Sequence, residues 1–253
     1  MTVFPLGALA GLLVGAIMGS FLSTLALRWP DGRGVARGRS ACDHCGAVLR
    51  AHELIPLLSG LIQRGRCRQC GGAIDPLHRR MEWACGFIGA AAFGSFPPLS
   101  GLGWAVLSWI LLTLAILDWR HFWLPDRLTL PLAFLGFTLG GWTTDVAMEQ
   151  RVTGAIIGYG GLMLIALGYR SLRQREGLGL GDAKLLGALG AWLGAFSLPF
   201  ILVTASGAAL LVLVAQRAAS RRIEATSAIP LGTFLCVGAI PGYVLSSWLL
   251  GPI

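Results

Sequence analysis

Long stretches without a charged residue are the feature that most constrains how this chain can fold. There are six such runs: Met1–Leu27, Trp83–Leu117, Leu128–Thr144, Val152–Tyr169, Leu185–Gln216 and Ala225–Ile253. A helix needs about 20 apolar residues to cross the hydrocarbon core of a bilayer, where it satisfies all of its own backbone hydrogen bonds. The runs therefore predict an all-α polytopic membrane protein.

Two of the runs are long enough for two helices each, which brings the predicted number of transmembrane helices to about eight, two of them short. The breaks fall near Phe96–Pro98 and near Gly194–Pro199. Only 13% of the residues are charged, whereas soluble domains carry about a quarter. We predict a first transmembrane helix at 1–27, a polar segment at 28–80 and a seven-helix membrane domain at 81–253.

The arginines predict which side of the membrane the polar segment occupies. Ten of the 19 arginines lie between Arg28 and Arg80, and a cytoplasmic location for this segment would leave only Arg151 on the opposite side. Positive residues are concentrated in cytoplasmic loops, so the pattern favours this topology. The net charge of +8 is then a topology signal for a protein of the lipid bilayer. It is weak evidence for a nucleic-acid partner, and we expect none.

Two Cys-x-x-Cys pairs mark the polar segment as a metal-binding unit. Cys42 and Cys45 form the first pair, and Cys67 and Cys70 form the second, 21 residues further on. This spacing is typical of a four-thiolate zinc site, and a segment of this size has too small a core to fold firmly alone. Two disulfides or a dithiol redox pair are the alternatives, although the cytoplasm keeps thiols reduced. His44 is either a spare ligand or a solvated side chain.

Two aspartates at the ends of predicted helices are candidates for chemistry. Asp118 ends the third predicted helix and Asp182 begins the sixth, both at the cytoplasmic edge. Ionisable groups within membrane helices are costly and therefore functional candidates. Two carboxyl groups that meet can share a proton, so that one activates a water molecule and the other protonates the reacting group, as in aspartic proteases. Gly177, Gly179 and Gly181 would leave room for a substrate backbone beside Asp182.

Structural roles for the same acids stay open at this point. Asp182 could cap the N-terminus of its helix, and Asp118 could form an ion pair with Arg120. Asp126 fits a cap for the fourth predicted helix. Lys184 lies two residues from Asp182 and so on a different helix face, where it would pair with another carboxylate or a lipid phosphate.

Taken together, these motifs resemble the type IV prepilin peptidase family, the bifunctional leader peptidases and N-methyltransferases of pilus and type II secretion systems. The resemblance runs nearly from end to end. It rests on Gly19–Leu22, the two Cys-x-x-Cys pairs, Ile55–Ser59, Arg64–Cys67, Asp118 with Leu124–Asp126, and the Gly-x-Gly-Asp motif at Gly179–Asp182 followed by Lys184.

The resemblance implies a membrane-embedded aspartyl endopeptidase with Asp118 and Asp182 as its catalytic pair. Such enzymes remove a short basic leader from prepilins or pseudopilins, after a glycine, on the cytoplasmic side of the bacterial inner membrane. They then methylate the new N-terminal residue with S-adenosylmethionine. The residues that the resemblance links to methyl transfer are Arg64, Gly65, Arg66 and Glu82.

Three departures from the family pattern fall in the half of the chain linked to methyl transfer. Ser23 replaces the usual Asn, His52-Glu53 stands where Glu-Asn is common, and Pro76–Glu82 follows Tyr-Pro-x-x-Glu only loosely. We therefore expect cleavage to be better preserved than methyl transfer.

Two other classes of function stay open. A proton-coupled transporter could use Asp118 and Asp182 as proton carriers, although the chain lacks the internal repetition common in transporters. A non-catalytic assembly factor could use the zinc segment to bind partners. The sequence also leaves open a homodimer and the identity of the pilin substrates.

Overall fold

The computed structural model describes residues 4–35, 39–173, 179–219 and 229–251. These residues form α-helices and short turns, which confirms the predicted all-helical class. The nine α-helices among them are α1 (Pro5–Arg28), α2 (Leu58–Ile62), α3 (Pro76–Ser95), α4 (Pro98–His121), α5 (Asp126–Thr144), α6 (Met148–Arg173), α7 (Leu180–Leu193), α8 (Leu198–Ala218) and α9 (Leu231–Leu250).

Five of the described helices are long and apolar enough to cross a membrane: α1, α4, α6, α8 together with the turn before it, and α9. The predicted number of eight transmembrane helices is therefore not confirmed. Two physical reasons are visible in the sequence of the remaining helices. The first two turns of α3 carry Arg79, Arg80 and Glu82, and α7 has only 14 residues.

The chain divides into two compact units, Met1–Trp109 and Ile110–Ile253. In the first unit, α1 and α3 pack closely because a stripe of glycines faces α3. Gly7, Gly11, Gly15 and Gly19 are spaced four residues apart, and a Cβ on any of them would collide with a backbone carbonyl of α3. Small residues at this spacing let two helix backbones touch, which is how helices associate in lipid.

In the second unit, α7 is the central helix. It packs against α5, α6 and α9, and it is buried continuously from Leu185 to Leu193. Its backbone comes close to Gly154 of α6, where a Cβ would lie 2.7 Å from the carbonyl oxygen of Gly190. The indole N–H of Trp192 donates to the carbonyl of Leu132 in α5 at 2.7 Å. Because α7 is buried, the residues in its first turn are held in a fixed position.

Arg151, the one arginine predicted on the side opposite the polar segment, lies near the start of α6. It is buried. Its guanidinium donates to the carbonyls of Gly136 and Phe137 in α5, at 2.9 and 3.3 Å. A cation bound to backbone carbonyls of a neighbouring helix joins α5 to α6 and is consistent with burial.

Candidate functional site

The four predicted cysteines come together as one cluster. The Sγ atoms of Cys42, Cys45, Cys67 and Cys70 all lie within 4.8 Å of one another, and those of Cys42 and Cys70 are 3.9 Å apart. Tetrahedral zinc with Zn–S bonds of about 2.3 Å separates its sulfurs by about 3.8 Å. All four thiols are free. The donor set and its spacing fit one tetrahedral metal ion, and two disulfides are not formed.

The two cysteine pairs lie on turns of the same geometry. In each, the N–H of the first cysteine donates to the carbonyl five residues on, at 2.9 and 2.8 Å. Gly46 and Gly71 follow the second cysteine, with φ angles of +70° and +69° that favour glycine. Backbone N–H groups of Cys70 and Gln69 lower the pKa of the Cys67 thiol to about 7. The backbone of the second turn thus favours the thiolate form of Cys67, the form that a metal requires.

His44 connects the two cysteine turns. Its Nε2 lies 3.1 Å from the carbonyl oxygen of Ala73, which follows the second pair. The imidazole also covers Gly72, where a Cβ would meet its ring at 3.0 Å. His44 is exposed to solvent, and the contact of its Nε2 with Ala73 connects the two turns.

Glu82, a candidate for methyl transfer, anchors the segment after the first cysteine pair. Its carboxylate is buried and accepts the backbone N–H of Leu57 at 2.8 Å. Leu57 has a φ of +64°, a conformation that a non-glycine residue adopts at a cost of about 1–3 kcal/mol. The hydrogen bond from Glu82 helps to hold this backbone, and it ties residues 51–62 to α3.

The other methyl-transfer candidates form the turn that leads into the second cysteine pair. Arg64 and Gly65 both have positive φ angles, +51° and +71°. The N–H of Gly65 donates to Gly60 at 3.2 Å, and its carbonyl accepts from Ile74 at 2.8 Å. Arg66 pairs with Ala73 in an isolated β-bridge. Their backbone thus sets the shape of the turn that carries the second cysteine pair.

The structure brings two of the departures from the family pattern together. Ser23 of α1 is fully buried, and its Oγ lies 2.7 Å from Nδ1 of His78 in α3. The two residues are 55 positions apart in the sequence, so no local motif links them. They are partners in one partly buried hydrogen bond, although the sequence analysis treats them as two unrelated departures.

Asp118 and Asp182 converge on one point. Asp118 lies in the last turn of α4 and Asp182 in the first turn of α7, and both are buried, with 5% and 9% of their surface exposed. A Cβ built on Gly232 of α9 would lie 3.0 Å from Oδ1 of Asp182 and 3.1 Å from Oδ2 of Asp118. The N-cap residue of α7 is Gly179 and not Asp182, which lies inside the first turn. Two converging carboxyl groups can share one proton.

Thr233, at the start of α9, holds the carboxylate of Asp118. Its backbone N–H donates to Oδ2 of Asp118 at 2.6 Å, and its hydroxyl lies 3.0 Å from the same oxygen. The hydroxyl is also 3.1 Å from the carbonyl of Ala115. Sequence reasoning missed this residue because it is 115 positions from Asp118, and an isolated threonine opening an apolar run carries no signal.

Asp126 and Lys184 form a separate ion pair. Nζ of Lys184 lies 2.6 and 2.8 Å from the two carboxylate oxygens of Asp126, and about half of the Asp126 side chain is exposed. The helix α5 begins at Asp126 itself, with Pro125 as its cap, and the side chain caps nothing. The expected capping role is therefore wrong, because the carboxylate is held by Lys184 instead.

The glycines near Asp182 have different surroundings. A Cβ on Gly181 would lie 2.9 Å from Cβ of Leu124, so this glycine makes room for a leucine of the chain and not for a substrate backbone. A Cβ on Gly179 would lie 3.3 Å from Oδ2 of Asp182. Gly177 lies outside the described residues.

Helices of membrane-spanning length, a cluster of four cysteines that could hold a metal ion and two buried carboxyl groups that meet are together typical of a membrane-embedded aspartyl peptidase. Comparisons with known families agree with this class. Residues 105–214 match the type IV leader peptidase family, and residues 13–96 match the N-terminal domain of bacterial peptidases of the A24 family. No solved structure matches.

Several prepilin leader peptidase/N-methyltransferases are similar to the chain. The protein of Dickeya chrysanthemi is 38% identical over 94% of this chain and 92% of its own length, and that of Stutzerimonas stutzeri is 33% identical over 95% and 90%. A Burkholderia pseudomallei relative is 42% identical over 79% of this chain, and the match spans 65% of that relative's length. The chain belongs to the type IV leader peptidase family.

Proposed function

We propose that this protein is a membrane-embedded aspartyl endopeptidase that removes the basic leader of type IV prepilins or type II secretion pseudopilins after a glycine. It then methylates the new N-terminal residue. The proposal rests on one observation: the carboxyl groups of Asp118 and Asp182 come together beside Gly232. The relatives named as prepilin leader peptidase/N-methyltransferases support the same substrate and both activities.

Two carboxyl groups in this arrangement supply the chemistry of peptide hydrolysis. One, ionised, accepts a proton from water as the water oxygen bonds to the scissile carbonyl carbon. The other, protonated, gives its proton to the carbonyl oxygen. The C–N bond then breaks and the leaving amine takes up a proton from the pair. No metal takes part in these steps.

The choice of Asp118 over Asp126 as the partner of Asp182 rests on burial and on ion pairing. Asp118 is buried and faces Asp182, whereas Asp126 is half exposed and holds Lys184. A carboxylate that is already paired with an ammonium group in solvent is poorly suited to share a proton with a second carboxylate. The sequence spacing allows either aspartate, and the contacts favour Asp118.

We further propose an eight-helix topology with the carboxyl pair on the cytoplasmic side. A helix of 14 residues is about 21 Å long, shorter than the hydrocarbon core of about 30 Å, so α7 would begin or end below the membrane surface. Arg120 and His121 follow Asp118 in the last turn of α4, and positive residues favour the cytoplasmic side. A basic leader that emerges from the cytoplasm would then meet the pair at this edge.

The four cysteines would hold a structural zinc ion, which crosslinks two turns of a segment too small to fold firmly alone. S-adenosylmethionine would supply an electrophilic methyl group. We assign methyl transfer to the neighbourhood of Arg64, Gly65, Arg66 and Glu82. The support is limited to the family resemblance and to the contacts that tie Glu82 and Gly65 to the metal-binding segment.

Incubation of the purified protein in detergent with a prepilin that carries a basic leader ending in glycine tests the proposal. Mass spectrometry should show loss of the leader and, with S-adenosylmethionine present, the gain of one methyl group. A pilin of unchanged mass would favour a transporter or an assembly factor instead. Proton uptake into vesicles that contain the protein separates these two, because only the transporter predicts it.

A further inference from the structure

The start of α9 contributes two residues to the surroundings of the carboxyl pair that no sequence motif indicates. We propose that Thr233 positions Asp118 for catalysis and that Gly232, which has no side chain, lets the two carboxyl groups come together against the backbone of α9. This inference rests on the proposed function of Asp118 and Asp182 as the catalytic pair. It makes α9 a third element of the site, beside α4 and α7.

Thr233 fixes the carboxylate of Asp118 through a single oxygen. An N–H can only donate, so the contact of 2.6 Å from the Thr233 backbone makes Oδ2 of Asp118 an acceptor. The Thr233 hydroxyl, 3.0 Å from the same oxygen, donates a second hydrogen bond from a different direction. Together the two hydrogen bonds limit rotation of the carboxyl group. Because the threonine sits in the first turn of a helix, its backbone cannot follow a rotation of Asp118, and the carboxylate is held relative to α9.

The Thr233 hydroxyl can also adapt to the protonation state of its partner. It has one proton and lies within hydrogen-bond distance of two acceptors, Oδ2 of Asp118 and the carbonyl of Ala115. It donates to Asp118 while that carboxylate is ionised. It donates to Ala115, and accepts from Asp118, once a proton resides on the carboxyl group. During peptide hydrolysis Asp118 alternates between its ionised and protonated forms. A side chain that could only donate a hydrogen bond, or could neither donate nor accept one, would favour one of these forms.

Gly232 lets the backbone of α9 lie directly against both carboxyl groups. The point at which a Cβ would stand lies 3.0 Å from Oδ1 of Asp182 and 3.1 Å from Oδ2 of Asp118. These distances are shorter than the optimal separation of non-bonded heavy atoms, which is about 3.5–4.0 Å, so a side chain here would push the two carboxyl groups out of place. A methyl group there would contact both oxygens without offering either a proton. It would also press on Cδ1 of Leu124 at 2.7 Å.

Steady-state cleavage of a prepilin by purified variants of the full chain in detergent tests these roles. Thr233→Val keeps the shape and the backbone N–H but removes the hydroxyl, so kcat should fall by about 10- to 100-fold with little change in KM. Thr233→Ser returns the hydroxyl and should restore kcat to within about threefold of the unaltered protein. Gly232→Ala should reduce kcat by more than about 100-fold.

Two matched variants control for helix packing. Thr204→Val removes a hydroxyl that binds the carbonyl of Gly238 at 2.8 Å, away from the carboxyl pair. Gly207→Ala adds a methyl group where nothing lies within 4 Å. Both should retain kcat, and thermal unfolding should show that every variant used in the comparison is folded.

The outcomes separate this inference from the proposed function on which it rests. If Asp118→Asn and Asp182→Asn are inactive while Thr233→Val keeps the kcat of the unaltered protein, the role of Thr233 is wrong and the catalytic pair stands. Failure of Thr233→Ser to recover activity lost in Thr233→Val, or full activity of Gly232→Ala, also overturns it. If both Asn variants cleave normally, Asp118 and Asp182 are not the catalytic pair, and the proposed function itself is wrong.

Discussion

Lys184 places its ammonium group 2.6 and 2.8 Å from the two carboxylate oxygens of Asp126. This pair joins the N-terminal part of α7 to the first turn of α5. Lys184 follows Asp182 by two residues, so the two side chains leave α7 in different directions. The Lys184 side chain binds Asp126 at the exposed side, and the Asp182 side chain meets Asp118 in the interior.

The exposed position of this ion pair predicts a small effect when it is broken. Asp126→Asn should lower the free energy of unfolding by about 0–1 kcal/mol, because solvent screens a half-exposed pair. It should retain most of the cleavage activity. Thermal unfolding and the rate of prepilin cleavage measure the two effects. An inactive Asp126→Asn protein together with an active Asp118→Asn protein would show that the partner of Asp182 is misassigned.

The four-cysteine cluster predicts about one zinc ion per purified chain. Replacement of Cys42, Cys45, Cys67 or Cys70 by serine should lower the zinc content. It should also make residues 28–80 more sensitive to protease, since the metal replaces a hydrophobic core there. Metal analysis and limited proteolysis check both effects.

Cys85→Ala is the matched control for the zinc experiment, because this cysteine is buried in α3, outside the cluster. It should leave the zinc content unchanged. Protein that contains no zinc, or thiol titration that finds the four cysteines oxidised, would contradict the metal assignment.

The positive φ of Gly65 predicts that the two activities can be separated. In Gly65→Leu a side chain is forced into a left-handed conformation, at a cost of about 1–2 kcal/mol, although nothing lies within 4 Å of its Cβ. The turn before Cys67 should distort, and methyl transfer should fall while substantial cleavage remains. The mass of the processed pilin reports both, because loss of the leader and gain of a methyl group appear together.

Gly60→Leu is the control for this prediction. Its Cβ also points into open space, but its φ is not positive, so the same bulk is added without the same strain. Equal loss of methyl transfer in both variants would mean that bulk and not backbone conformation is responsible. An unmethylated product from the unaltered protein, with the methyl donor supplied, would mean that the chain is a peptidase only.

Features that depend on local spacing could be predicted from the sequence. The cysteine cluster follows from two short motifs, because each Cys-x-x-Cys pair forms its own turn. The helical class follows from the charge-free runs. The number of helices long and apolar enough to cross a membrane was harder to predict, since a run without charges does not show where a helix begins. The short helix α7 and the charged first turns of α3 illustrate the difference.

Contacts between distant residues could not be predicted in this way. The bonds from Thr233 to Asp118, from Ser23 to His78 and from Leu57 to Glu82 each join residues far apart in the chain. None of these pairs has a spacing that a helix or a turn would impose. The sequence identified Asp118 and Asp182 as costly acids within a membrane protein, but the residues that hold them became visible only with the packing of α9.

The central claim is that Asp118 and Asp182 act as one catalytic pair. Its most direct test is the mass of a prepilin after incubation with Asp118→Asn, Asp182→Asn and Asp126→Asn proteins that retain zinc and unfold at the same temperature as the unaltered protein. We expect the first two to cleave about 10³- to 10⁴-fold more slowly, because neither carboxyl group can perform both proton transfers. Asp126→Asn should cleave at nearly the original rate. Leader removal at the original rate by either Asp118→Asn or Asp182→Asn would show that the two residues do not act as a catalytic pair.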